Sequence, residues 1–350
     1  MRAFAYLSHR TAGWTEKPRP HATGFDAVIR PLLVAPCTSD VHNVEIDCLQ
    51  PGRILGHEGL GEIVEVGELV RDFRLGEIVA VPPVTPDWRT VPSQLGAHQH
   101  CAGLITGQKL SNSEDGLMAE YALIRDIDAN AARIPEGVSY EAAVLAADML
   151  NTGLYGAELA DVSPGDTVAV LGIGPVGLMA VAGARLRGAG RIIAVGSRPK
   201  CMELARFYGA TDIVNYKEGD LLRQVHLLTD KKGADRCICA GGGDEALSQA
   251  VSMVRWGGAV GNVNYFTTYG DLPLNNVRFG FGMGNKTIRG GECPGGRARM
   301  EKLLALLRYG RVDPVPLLTH RFRGLDGVES AFRLMQEKPP ELVKAIVHIQ

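Results

Sequence analysis

The sequence predicts an α/β protein of two domains, one β-rich and mostly antiparallel, the other a doubly wound parallel sheet with helices on both faces. Length is the first reason, since 350 residues exceed what a single hydrophobic core usually organises. The second is a change of rhythm. Residues 1–150 carry short β-like runs broken by Gly and Pro, whereas residues 165–290 repeat an apolar strand, a glycine turn and a helix-length segment.

In the first part, Ala27-Val28-Ile29-Arg30 and Glu77-Ile78-Val79-Ala80-Val81 read as strands. In the second, residues 167–171, 191–195, 212–215 and 236–240 are the expected strands, and repeated β-α units imply a parallel sheet. Cys237 and Cys239 alternate with Ile238 and read as core residues on one strand face. After Gly291 the repetition stops. Residues 299–307 have helical periodicity, residues 343–349 read as a closing strand, and this tail is expected to pack back on the first domain. The expected division is 1–151, completed by 293–350, and 152–292.

Composition narrows the function classes. A formal net charge of -2, with 45% hydrophobic and 22% charged residues, leaves no electrostatic footprint for nucleic acid or an anionic membrane. Seven cysteines, at 37, 48, 101, 201, 237, 239 and 293, do not form the dense even framework of a secreted disulfide scaffold. Met1-Arg2-Ala3-Phe4-Ala5-Tyr6-Leu7 has no sustained apolar core, and no stretch reaches the roughly 18 apolar residues of a membrane span. A reduced, cytoplasmic location is expected.

Gly172-Ile173-Gly174-Pro175-Val176-Gly177 follows the strand ending at Leu171 and opens the helical segment 178–187. In that context the glycines give a tight turn, backbone approach to a pyrophosphate and close helix–strand packing, with helix N–H groups facing the phosphates. The second strand ends in Gly196-Ser197-Arg198. It offers no Asp or Glu for a ribose 2′-hydroxyl, and a guanidinium pairs well with a 2′-phosphate, so NADP is the expected cofactor.

Cys37, His57, Glu58 and Asp148 are candidate metal ligands by residue type, although each alone also fits an ordinary structural role. Together with neighbouring sequence they reach a pattern. Gly56-His57-Glu58-Gly59-Leu60-Gly61, followed by Gly67 and Val70, resembles the zinc signature of medium-chain alcohol dehydrogenases. The resemblance runs along nearly the whole chain and is strongest toward NADP-dependent secondary alcohol dehydrogenases of bacteria and anaerobic protists. Pro36-Cys37-Thr38-Ser39-Asp40, Thr85-Pro86-Asp87-Trp88, Gly156-Ala157-Glu158-Leu159-Ala160, residues 168–198 and Gly261-Asn262-Val263-Asn264-Tyr265 carry it.

That resemblance implies a GroES-like catalytic domain with a Rossmann domain inserted. It implies a catalytic zinc on Cys37, His57 and Asp148 with Glu58 as an exchangeable fourth ligand, and a proton path through Ser39 and His42. It implies that NADP meets residues 172–177 together with Gly196, Ser197, Arg198, Tyr216, Val263, Asn264, Tyr265 and Lys338. The implied substrate is a short secondary alcohol or its ketone, lined by Ser39, Val84, Met149, Thr152 and Tyr265, and the implied assembly is a homotetramer. Gln108 stands where the resemblance expects a tryptophan and Glu292 where it expects a leucine; the two either face water or line the cleft, and in the second case favour substrates with a second polar group. Many relatives hold a second, structural zinc on four close cysteines. Residues 85–115 contain only Cys101, so one zinc per subunit is expected, with His98-Gln99-His100-Cys101 in a loop role. A zinc-free quinone or enone reductase would lack the ligand set; a structural protein that binds NADP without turnover is the other alternative, separated by zinc content together with ketone-dependent NADPH oxidation.

Overall fold

The computed structural model describes residues 1–266, 270–276 and 279–349. The chain divides into two compact units, Met1–Asp148 with Pro294–Gln350, and Met149–Cys293. The first boundary falls three residues before the expected one, and the second falls one residue after it.

The first unit is built on a sheet whose strands run in the order Leu318–Arg323, Lys344–His348, Ala27–Val34, Gly59–Val66, Ile78–Val81 and Ala132–Arg133, with Ala122–Ile124 also pairing to Ala27–Val34. Only the first two strands of that order are parallel. The tail therefore joins this unit's sheet, and Lys344–His348 lies antiparallel to Ala27–Val34 through Val347↔Val34. The strand expected to stop at Arg30 continues to Val34. Pro31 is tolerated because the register shifts between Pro31 and Leu33, and a bulge is one of the few strand positions where a missing N–H costs little. Phe4, Ile29, Val34, Leu55, Ile63, Val79, Phe332 and Val347 are among the buried side chains of the core beneath the sheet.

This pairing prepares the site. Val34 pairs with Gly59, so the chain leaving one strand toward Cys37 meets the chain entering the next from His57. Gly56, just before His57, has φ +90°, and a Cβ there would lie 2.7 Å from the Met118 side chain. Only glycine makes that turn without strain.

The second unit is a six-stranded parallel sheet in the order Asp212–Val214, Arg191–Val195, Thr167–Leu171, Ala234–Cys239, Val254–Asn262 and Thr287–Gly290. Numbered along the unit this is the doubly wound order 3-2-1-4-5-6, with the switch point at the strand Thr167–Leu171. The last two strands were not among those read from the sequence. The helix expected from Leu178 begins at Pro175, with Gly174 as its N-cap, because proline at the first helical position lacks only an N–H that would be unpaired anyway. Cys237 and Cys239 lie together in the apolar core, on the strand face opposite Ile238, as expected.

Candidate metal centre and dinucleotide site

Strand ends bring the ligand types together. Cys37 caps the helix Thr38–Glu45, His57 and Glu58 precede the strand Gly59–Val66, and Asp148 lies on a helical turn at the end of the unit's first segment. One potential ligand atom from each of Cys37, His57, Glu58 and Asp148 lies within 4.8 Å of the others. Cys37 Sγ is 3.9 Å from Asp148 Oδ2, and His57 Nε2 is 3.8 Å from the same oxygen.

Asp40 organises the cluster. It is fully buried, its Oδ2 accepts from the Cys37 backbone N at 3.2 Å, and its Oδ1 accepts from Gly56 N at 3.1 Å and Ser111 Oγ at 2.8 Å. The same Oδ1 lies 3.2 Å from His57 Nδ1. One carboxylate thus holds the backbone of one candidate ligand and stands in ion-pair contact with Nδ1 of another, leaving its Nε2 on the side of Asp148. Behind them Lys344 Nζ donates to Glu58 Oε1 at 2.6 Å, both side chains being buried.

Burial opposes every charge here, and the partners decide the outcome. For Cys37 burial raises the thiol pKa, but the Lys344 charge and the His57 hydrogen bond pull it below its ordinary value. Burial disfavours the His57 imidazolium, yet the Asp40 charge and hydrogen bonds to Asp148 and Asp40 hold it well above the usual histidine range. For Glu58 burial prevails over Lys344 and the carboxyl is pushed up. Glu58 Oε2 is buried with no hydrogen-bond partner among the described residues.

These residues fit a divalent metal. Cys37, Asp40, Glu58 and Asp148 are four potential anions facing one ammonium, Lys344. With His57 neutral, as a ligand must be, and Glu58 protonated until a cation favours its ionised form, at least two negative charges are left for a cation to offset. A thiolate, an imidazole and carboxylates are zinc's ligand types, and the orphaned Glu58 oxygen is one more donor.

In the second unit the glycine loop is shaped for close backbone approach. A Cβ on Gly177 would lie 1.8 Å from the Gly172 carbonyl oxygen, whereas above Gly174 the nearest group is the Arg198 guanidinium, at 3.7 Å. Ile173 is buried, and Pro175 and Val176 open the helix Pro175–Leu186. At the end of the second strand Gly196 packs on Ile173, Ser197 Oγ donates to Tyr216 Oη at 2.8 Å, and Arg198 caps the helix Pro199–Tyr208. Val263 N donates to Cys239 O at 2.9 Å, Asn264 Nδ2 donates to Gly242 O at 3.2 Å, and Tyr265 is half exposed.

Residues 23–136 match the family model for the alcohol dehydrogenase GroES-like domain, and residues 175–308 match that for zinc-binding dehydrogenases. Over 349 residues, 99% of each chain, the sequence is 54% identical to the NADP-dependent isopropanol dehydrogenase of Thermoanaerobacter brockii. The chain belongs to the zinc-binding alcohol dehydrogenase family. A second member, the NADP-dependent isopropanol dehydrogenase of Clostridium beijerinckii, is 52% identical over the same span. Among solved structures, alcohol dehydrogenase TADH from Thermus sp. ATN1 matches with a TM-score of 0.87 over 100% of both chains at 28% identity.

In this zinc-binding dehydrogenase, other sequence-selected residues fall on both units. Ser39 Oγ is 3.3 Å from His57 Nε2. His42 is half-buried in the first unit, and burial, then the Lys338 charge, lower its pKa while Glu45 opposes them. Lys338 therefore lies in the unit that carries the metal cluster. Gln108 is half-buried and its backbone carbonyl accepts from Asn112 Nδ2 at 3.0 Å, and Glu292, in the second unit, is also half-buried. His98 stacks on Trp88 and accepts from Gly295 N at 3.1 Å, His100 Nδ1 accepts from Ile105 N at 3.0 Å, and Cys101 donates to Thr106 O at 3.6 Å. Each is occupied by the loop it organises.

Sequence reasoning assigned no role to Asp40, Ser111 or Lys344. Asp40 lies inside the Pro36–Asp40 motif, and the signal available was its position three residues after a candidate thiolate. Asp40→Asn is expected to weaken zinc binding by about 10–100-fold, since it removes the negative charge facing His57 and replaces one of two acceptor oxygens with a donor. Competition with a calibrated chelator measures it, and an unchanged affinity would show that His57 needs no such support.

Proposed function

We propose that this protein transfers a hydride between NADP(H) and short secondary alcohols or ketones. The observation that carries the reading is the Cys37, His57, Glu58 and Asp148 cluster, in a chain similar end to end to NADP-dependent isopropanol dehydrogenases. Zinc held by Cys37, His57 and Asp148 would supply Lewis acidity that lowers the proton affinity of an alcohol oxygen, and NADP would accept the hydride. Glu58, tethered to Lys344, is the fourth, exchangeable ligand.

The chain's own groups handle the proton. Ser39 Oγ, beside His57, would take it from the alcohol as its own proton moves on, and His42 would release a proton to solvent. A base must be neutral to accept a proton, and the lowered pKa of His42 keeps it neutral to below the ordinary histidine value of 6.5. Alcohol oxidation should therefore lose rate only as pH falls through a value under 6.5. His42→Ala should lower kcat on the order of tenfold or more and flatten that acid limb. An unchanged profile, under conditions where proton transfer contributes to the rate, rules the relay out.

Cofactor choice rests on Gly196, Ser197, Arg198 and Tyr216. Arg198→Asp is expected to cut kcat/KM for NADPH by about 10–100-fold and to favour NADH relatively, because a charge-assisted bond becomes a repulsion. Steady-state kinetics with 2-butanone and both cofactors test this. Wild-type enzyme that uses NADH as efficiently as NADPH overturns the assignment.

We further propose a homotetramer, the assembly the family resemblance implies. Its support is an exposed sheet edge, Thr287–Gly290, near Trp256 and the fully exposed Met283. Open edges with apolar side chains are usually covered. Light scattering at assay concentration should report four chains, and a monomer contradicts it. No described helix is long and apolar enough to cross a membrane.

A further inference from the structure

Asp148 lies on a π-helical turn, Ala146–Leu150, set between the α-helices Tyr140–Leu145 and Asn151–Leu159. A π-turn closes i→i+5 rather than i→i+4 hydrogen bonds, so it takes up one extra residue, and such turns occur mostly as single bulges inside α-helices. The surroundings give this one a reason. Residues 142–151 are buried throughout, and Asp148 is their only ionisable side chain.

The helix ahead of the turn has a fixed rotation. Ser139 Oγ caps it by accepting from Ala142 N at 3.2 Å. Glu141 accepts from Arg321 Nε and Nη2, both at 2.8 Å, and lies 3.1 Å from His348 Nε2. Continued as α-helix from that start, Asp148 would stack over Val144 and Leu145, four and three residues back. Both are fully buried apolar side chains, poor company for a carboxylate. One extra residue in the turn displaces the positions after it by up to about 100° of helix rotation, and the Asp148 carboxylate, within that turn, lies 3.9 and 3.8 Å from Cys37 and His57.

We propose that the turn Ala146–Leu150 is the positioning element of the metal centre, held open by the ligated Asp148 carboxylate. The inference rests on Asp148 being a metal ligand, which a separate readout checks. In cobalt-substituted protein, Asp148→Asn should shift the visible ligand-field bands while keeping the thiolate-to-cobalt absorption of Cys37. An unchanged spectrum removes the ligand assignment, and the inference with it.

The turn itself is read by amide hydrogen exchange on the full chain. Removing the metal should speed exchange of residues 146–150 at least tenfold and leave 140–145 and 151–159 unchanged. Equal protection with and without metal overturns the proposal. Deleting Ala147, which returns the run to α-helical spacing, should give the cobalt spectrum of Asp148→Asn, with thermal unfolding and NADP+ binding as checks of the fold. A folded deletion variant with the wild-type spectrum also overturns it, and if that variant does not fold, the exchange result decides.

Discussion

The geometry of the metal centre hangs on the Asp40 carboxylate. A fully buried carboxylate is tolerable only with partners, and Asp40 takes the Cys37 and Gly56 backbone N–H groups, the Ser111 hydroxyl and the His57 ring. Burial raises its pKa, but the His57 charge and these hydrogen bonds bring it below the ordinary value. With His57 neutral on a metal, the Ser111 hydroxyl and the Cys37 and Gly56 backbone N–H groups are what hold the Asp40 carboxylate ionised. Cys37 and His57 belong to two separate chain passages, and Asp40 binds the passages to each other as well as the ligands.

Around that point the sheet supplies rigidity and Lys344 supplies charge. Pairing of Ala27–Val34 with Gly59–Val66 fixes where the two passages meet, and the closing strand Lys344–His348 carries an ammonium into the buried site. Lys344 is held charged despite burial by Glu58, Cys37 and Asp148. Its pull on the Cys37 thiol favours the thiolate that a metal needs. The second unit solves a different problem with backbone alone: the glycine loop leaves room where side chains would block a pyrophosphate.

Much of this was legible because it has a period or a turn chemistry. The strands Thr167–Leu171 and Arg191–Val195 have the expected bounds, and the glycine loop announced the dinucleotide unit. Val254–Asn262 was not legible, since Arg255, Trp256 and three glycines interrupt its apolar run, and neither was Thr287–Gly290, a four-residue edge strand. The candidate metal ligands could be named only through family resemblance, because a single Cys, His or Asp looks the same in a core as in a site. Asp40 and Lys344 escaped even that. Their roles depend on burial of a charge against a partner 17 or 286 residues away, which no local pattern encodes. The π-turn has no signature either, because Ala-Ala-Asp-Met-Leu would serve an α-helix equally well.

Everything in this chemistry requires that the buried, negatively biased cluster works by holding zinc. Metal-free protein titrated with zinc, while ketone-dependent NADPH oxidation is followed, tests that directly. Activity should be near zero without metal, rise with added zinc and level off at one equivalent per chain. Full ketone reduction in a verified zinc-free preparation would contradict it.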